Sequence, residues 1–336
     1  MYMPVTDIGI DLGTASIIVY VKGKGILYQE PSVVAYDRDA NKILAFGTEA
    51  AQCIGRMPGN IVGIRPLKDG VISDFVVTER MLRYFIRKSM GNWNILKPRI
   101  CICVPSGVSD IEKRAVEEAS YRAGARDAVI VREPIVAAMG AGVDIMRASG
   151  SMIVNIGGGV SEIAVLSLGG IVIAQSIRTG GEAFDEAICQ YVHDVYGLII
   201  GSQTAEDIKI QIGSANPGTA LREVSVTGRD VDAGFPRTIS ITSDQVREAV
   251  APAVRRIIET IRIVMEKTPP DLAADIAKRG IVLTGGGAML EGLEGEIDKA
   301  TGIRTLLADN PQQAVAVGTG RYIRAMADFD KQKSYR

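Results

Sequence analysis

Two apolar periods run through the chain. Runs at 8–10 and 17–21 have strand length and are joined by the polar, glycine-bearing stretch 11–16; Lys22-Gly-Lys-Gly25 then turns the chain again. The run 100–104 predicts a strand, and 109–123 a helix with Ser109 as N-cap and Glu112 three residues on. Residues 128–131 read as another strand, followed by a helix from Pro134 to about residue 141, where proline suits the first turn. The run 151–156 opens a second strand–turn–strand unit. Val246, Val250, Val254, Ile257, Ile258 and Ile261 lie on one face of a long helix predicted over 243–267. Residues 280–284 form a strand that enters Gly285-Gly-Gly287 and then a helix.

An internal echo organises these elements. Residues 8–27 read IGIDLGTASIIVYVKGKGIL and residues 152–173 read MIVNIGGGVSEIAVLSLGGIVI. Each has an apolar strand, a polar residue, a glycine-rich turn with hydroxyls, a second apolar strand and a second glycine turn. Asp11 and Asn155 occupy the polar position, nearly half the chain apart. A duplicated unit of this size gives two related domains with their turns opposed across a cleft. Chance likeness of two hairpins is the competing reading.

Composition narrows the function. With 336 residues the chain accommodates two domains and a core that needs no staples. Its formal net charge of −1 argues against a nucleic-acid partner held by phosphate neutralisation. The four cysteines, at 53, 101, 103 and 189, form no C-x-x-C pair and read as reduced thiols. The single histidine, His193, reads as a surface or packing residue, so histidine-based triads are not expected. No apolar run reaches the ~20 residues of a membrane span, and residues 1–6 lack the pattern of a signal peptide. The expectation is a cytoplasmic protein.

The turns carry the candidate chemistry. Consecutive backbone N–H groups in a glycine turn make a concavity for phosphate oxygens. Three such turns follow apolar strands: Gly13-Thr14-Ala15-Ser16, Gly157-Gly158-Gly159 and Gly285-Gly286-Gly287. None is a P-loop, and no G-x-G-x-x-G follows a strand. Asp11 at its strand end reads either as a carboxylate holding a water of Mg²⁺ or as a turn cap. Glu133 before Pro134 reads either as a group orienting an attacking water or as a dipole partner of its helix. Glu206 and Lys209, three apart on a helix predicted over 204–212, read as a surface ion pair or as a clamp on a ribose and base.

Taken together, these strings resemble the actin, Hsp70 and sugar-kinase superfamily, and most closely the MreB family of bacterial actin homologues, Mbl-type members included. The likeness is carried by IDLGTAS at 10–16, KGKGIL at 22–27, EPSVVA at 30–35, IRPLKDGVISDF at 64–75, YFIRK at 84–88 and VPSG at 104–107. It continues through EPIVAAMGAG at 133–142, the stretch 150–172, RTGGEAFDEAI at 178–188, TAEDIK at 204–209 and LTGGGAMLEGL at 283–293. The resemblance implies an α/β actin-like fold: two related lobes, each a mixed sheet flanked by helices, with nucleotide in the cleft between them. The implied division is 1–32, 66–145 and 312–336 for the core of lobe I, with 33–65 its small subdomain. Lobe II has 146–181 and 246–311 as core and 182–245 as small subdomain.

The resemblance further implies ATP and Mg²⁺ as ligands. Gly13 to Ser16 and Gly157 to Gly159 become the phosphate turns, and Asp11 and, through water, Asn155 face the metal. Glu133 becomes the water-activating glutamate, Glu206, Asp207, Ile208 and Lys209 the ribose and base clamp, and Gly285, Gly286, Gly287 and Ala288 the adenosine-side turn. The implied activity is that of a filament former with itself as partner, bound to the inner face of the cytoplasmic membrane and organising cell-wall synthesis and rod shape. A small-molecule kinase on the same fold is the alternative.

Three positions depart from the family pattern. Asn155 stands in place of an aspartate, Val160 in place of a threonine whose hydroxyl helps position water, and Ser16 in place of an asparagine. Losing one positioning group costs on the order of 10²-fold in rate, so binding is expected to survive and hydrolysis to be slow. For the membrane, the stretch 92–96 with Trp93, Ile95 and Leu96, flanked by Arg87, Lys88, Lys97 and Arg99, reads as an interfacial anchor. The other reading packs Trp93 beneath its loop.

Overall fold

The computed structural model describes residues 6–53, 59–90 and 96–334, with side chains to residue 326. Two five-stranded sheets dominate. The first contains β1 (Asp7–Leu12), β2 (Ser16–Val21), β3 (Gly25–Pro31), β4 (Arg99–Val104) and β5 (Asp127–Arg132), in the order β5-β4-β1-β2-β3. The second contains β6 (Ser151–Ile156), β7 (Ser161–Ser167), β8 (Gly170–Ile177), β9 (Ile281–Thr284) and β10 (Thr305–Leu307), in the order β8-β7-β6-β9-β10. Strand for strand the orders correspond. In each sheet the first three strands form an antiparallel meander and the last two add in parallel. Even the register break between second and third strand recurs, at Val19/Tyr20 and at Val165/Leu166. The echo in the sequence is a structural duplication, and the fold is actin-like.

Why these segments form these elements is plain from burial. The central strands β1 and β6 are buried at nearly every position because both of their faces are covered, and each is mainly apolar. The helices Phe75–Met90 and Asp110–Ala123 cover the outer face of the first sheet, and Gly181–Tyr196 and Ser243–Glu266 that of the second. Ser109 caps the Asp110–Ala123 helix with the full reciprocal capping box to Glu112. Between the sheets lie the helices Glu133–Gly140 and Ala314–Ser334, whose Val136, Ala137, Ala138, Val315 and Ile323 share a core with Cys101, Ile153 and Ala164. Two smaller sheets, of strands Val34–Asp37, Lys42–Phe46 and Ile61–Ile64, and of Leu198–Ile199, Glu223–Asp230 and Pro236–Thr242, extend one from each lobe.

The helices Phe75–Met90 and Ala314–Ser334 are not among those the sequence pattern predicts. Glu133 is the first helical residue rather than the one before the helix. The Gly285–Gly287 stretch leads into a single 3₁₀ turn, Gly287–Met289, and the following helix waits until Leu293. His193 is exposed on its helix, bonded to the Asp194 side chain.

Candidate functional site

Each sheet delivers its first hairpin turn to the same place. Gly13 N–H donates to the Ser16 carbonyl at 3.0 Å, and Gly157 N–H to the Val160 carbonyl at 2.9 Å. Ser16 and Val160 therefore hold equivalent positions in the duplicated unit. The turns touch. A methyl on Gly158 would stand 2.4 Å from Ala15 Cβ, and one on Gly159 2.9 Å from Thr14 Oγ1. Backbones approach this closely only where Cβ is missing. Thr14 is held in turn by the Gly70 N–H, which donates to its Oγ1 at 3.1 Å.

The third turn folds over the second. Gly285 has φ +88°, and a methyl there would stand 2.2 Å from the Ile156 carbonyl oxygen and 2.9 Å from Asn155 Oδ1. Gly287 is likewise closed in by Ile156, while Gly286 lies beside Gln312. Behind the second turn, Gly181 and Glu182 N–H groups donate to the carbonyls of Gly157 and Gly158, each at 2.9 Å. The first amides of the Gly181–Tyr196 helix thus brace the turn.

Beneath the turns lies a polar group in which Asn155 and Thr284 are buried and Asp11 and Glu133 half-buried. Asp11, last but one in β1, lies beside Cys103, whose thiol donates to Oδ1 at 3.7 Å. Burial pushes the Asp11 carboxyl up to about 7, with the thiol bond opposing. Glu133 sits at the start of its helix, and Asn155 Nδ2 donates to its Oε1. Thr284 Oγ1 donates to Asn155 Oδ1 at 2.9 Å; the carboxylate's need for a donor sets which way this amide points. Burial, then the charges of Glu162 and Asp11, hold Glu133 well above the usual carboxylate range, against the Asn155 bond. Asparagine matters at 155: it gives Glu133 a donor, which an ionised aspartate would replace with a charge that raises Glu133 further.

The remaining predicted residues divide. Lys209 reaches the second turn's brace, donating to the Gly181 carbonyl at 3.2 Å and pairing with Asp185 at 2.7 Å. It does so in place of a pair with Glu206, which accepts from Gln203 at 3.4 Å. Burial outweighs the Lys209 pull on Asp185 and raises that carboxyl to about 6. Asp207 is exposed, whereas the side chains of Ile208 and Ala288 are buried in the lobe II core. Trp93 and Ile95 lie outside the described residues; Leu96 is 41% exposed. Of the four basic neighbours, Lys88 pairs with Glu30 and Arg99 with Asp7, leaving Arg87 and Lys97 exposed at this edge.

Sequence reasoning missed Thr284, Cys103, Asp185, Ser106 and Glu162. The one legible signal among them is Glu162, a carboxylate immediately before the apolar run Ile163 to Leu166.

A carboxylate, an acid–amide pair and three glycine turns gathered between duplicated sheets define the class: a protein of the actin-like fold. Comparison with known proteins agrees. The crystal structure of MreB5 of Spiroplasma citri bound to AMPPNP superimposes with a TM-score of 0.94 at 33% identity, covering 99% of this chain and all of that one. The MamK double helical filament shares the fold, with a TM-score of 0.81 at 23% identity over 96% of this chain and 99% of its own. The cell shape-determining protein Mbl of Bacillus cereus is 49% identical over 314 residues, 94% of each chain. The cell shape-determining protein MreB of Escherichia coli is 47% identical over 320 residues, 94% of this chain and 92% of its own. The sequence profile of the MreB/Mbl protein family matches residues 5–331. The chain belongs to the MreB/Mbl family.

Proposed function

We propose that this chain is a cytoskeletal ATPase that assembles into filaments and determines cell shape, with ATP gripped between the two lobes. The observation that carries the reading is the meeting of Ala15 with Gly158 above Asp11, Glu133 and Asn155. Backbone amides of the turns face phosphate oxygens, and the Gly285–Gly287 turn with the Glu206–Lys209 helix brackets the nucleoside. Support comes from a relative of the same fold that was crystallised with AMPPNP and, in a second structure, with ADP. Names of curated relatives support the role in cell shape.

A divalent cation fits Asp11, a half-buried residue whose carboxyl is raised by desolvation and has no cationic partner among the described residues. Mg²⁺ there would neutralise phosphate charge. Asn155 contributes less, since its amide already joins Glu133 to Thr284. Glu133 orients the attacking water, and turnover is slow because Val160, at the position matching Ser16, brings no hydroxyl. Subdomain boundaries at 33–65 and 182–245 are supported by the separate small sheets.

The filament lies on the inner face of the cytoplasmic membrane, with Trp93, Ile95 and Leu96 as its anchor beside Arg87 and Lys97, and it serves the cell-wall synthesis machinery. Among the described residues no helix is long and apolar enough to cross a membrane. Negative-stain microscopy on lipid, with and without ATP, beside a phosphate-release assay tests the whole reading. ATP-dependent filaments with slow phosphate release are expected; a chain that binds no ATP would end it.

A further inference from the structure

Glu162 is the second residue of β7 and has no exposed surface. Its counterpart in the other lobe is Ile18: β1–β2 pairing sets Ile18 opposite Asp11 as β6–β7 pairing sets Glu162 opposite Asn155. Ile18 is buried, at 1% exposure, so this place in the fold does not require a carboxylate. Burial outweighs the help that the Ser106 donors and the Arg132 charge give this carboxylate, and a cost of that kind points to a task.

The two oxygens are treated differently. Oε2 crosses from lobe II to lobe I, accepting from Ser106 N–H at 3.0 Å and from the Ser106 hydroxyl. The Ser106 turn is itself pinned, because Arg132 Nη1 donates to the carbonyls of Pro105, Ser106 and Val108. Oε1 is buried and has no hydrogen-bond partner among the described residues. The hydroxyl of Ser176, the cross-strand neighbour of Glu162, lies near the carboxyl without closing a bond on Oε1. On the other side the cross-strand neighbour is Asn155, whose amide holds Glu133, and the Glu162 charge is felt at Glu133. Val160, two residues earlier and just before the strand begins, carries no polar side-chain atom.

Resting on the reading of this cleft as an ATP hydrolase, we propose that Glu162 is a positioning residue: Oε2 latches lobe II to the Ser106 turn, and Oε1 accepts a hydrogen bond from the attacking water beside Glu133. In that step the water oxygen bonds to the γ-phosphorus as the bond to the bridging oxygen breaks, and the bridging oxygen keeps the electron pair. One water proton passes to Glu133 and then to the released phosphate. Glu162 holds the other hydrogen and does not change its own protonation. The carboxylate thus does what the absent hydroxyl at 160 does not.

The test is Glu162→Gln, which keeps an oxygen for Ser106 and turns the free acceptor into a donor. Affinity for a fluorescent ATP analogue is expected to stay within about threefold of wild type, while phosphate release at saturating ATP falls roughly 10- to 100-fold. Adding Val160→Thr to Glu162→Gln restores much of the loss, because its hydroxyl supplies an acceptor; a merely structural role for Glu162 gives no such rescue. Unchanged release, or a parallel loss of ATP affinity and melting temperature, overturns the inference. A wild-type chain that binds ATP but releases no phosphate also overturns it, since no water step remains, and leaves nucleotide binding standing. Failure to bind ATP at all refutes the parent reading instead. If Glu162→Gln does not fold, Ser106→Ala at the half-buried end of the latch carries the same expectation: kcat falls while KM holds, and an unchanged kcat overturns the proposal.

Discussion

Ala15 and Gly158 belong to different lobes, yet nothing larger than hydrogen fits at 158 against the Ala15 methyl. A Gly158→Ala chain must separate the two turns by roughly the width of a methyl contact. Affinity for a fluorescent ATP analogue is expected to drop at least about tenfold, since amides placed for phosphate would no longer converge. Equal affinity in the two chains would remove this contact from the account of the cleft.

Val160 is buried, with Cγ2 facing the Gly70 position, so threonine fits in its place with little change in volume. Phosphate release by Val160→Thr is expected to rise about tenfold or more, with ATP affinity nearly constant. A variant no faster than wild type would show that the hydroxyl is not what limits turnover.

Asp11 makes stability depend on pH in a definite direction. Its folded carboxyl, at about 7, lies above the ordinary 3.8, so the nucleotide-free folded chain holds a proton that the unfolded chain has released. Stability contributed by this group is present at low pH and lost as pH rises from about 4 through 7. In EDTA, melting temperature should fall over that window more steeply for wild type than for Asp11→Asn. Divalent-cation binding, which competes with the same proton, weakens as pH drops below about 7. Parallel melting curves for the two chains would remove Asp11 from the explanation.

The helices between the sheets meet backbone to backbone. A methyl on Gly318 would stand 1.8 Å from the Val136 carbonyl oxygen, and one on Gly140 1.7 Å from that of Ala314. Gly318→Ala is expected to cost about 3 kcal/mol or more in urea unfolding. Gly295→Ala is the control: this helical glycine has nothing within 4 Å of its missing Cβ. There alanine should stabilise by about 0.5–1 kcal/mol. Similar values for the two would contradict the helix contact.

Much of the architecture was legible along the chain because it rests on local rules. Strand-length apolar runs, the Ser109–Glu112 capping box and the repeat of a polar residue two before glycine all act within a few residues. They predicted the central strands, several of the helices and the duplication, but not the helices Phe75–Met90 and Ala314–Ser334; the three turns came into one hypothesis because each follows an apolar strand. Asp11, Glu133 and Asn155 could be singled out because each stands at the end of a strand or the start of a helix.

What the tertiary structure alone decided is how polar atoms pair over long separations. Lys209 turns to Asp185 rather than to Glu206 three residues away, and Lys88 and Arg99 are drawn into ion pairs with Glu30 and Asp7. Asn155 joins Thr284 to Glu133, and Glu162 reaches Ser106 across the lobe boundary. Hydrophobic periodicity says which face of an element is buried, because burial needs only area. A hydrogen bond needs a particular donor at a particular distance, and that neighbour exists only after the two sheets have closed on the helices between them.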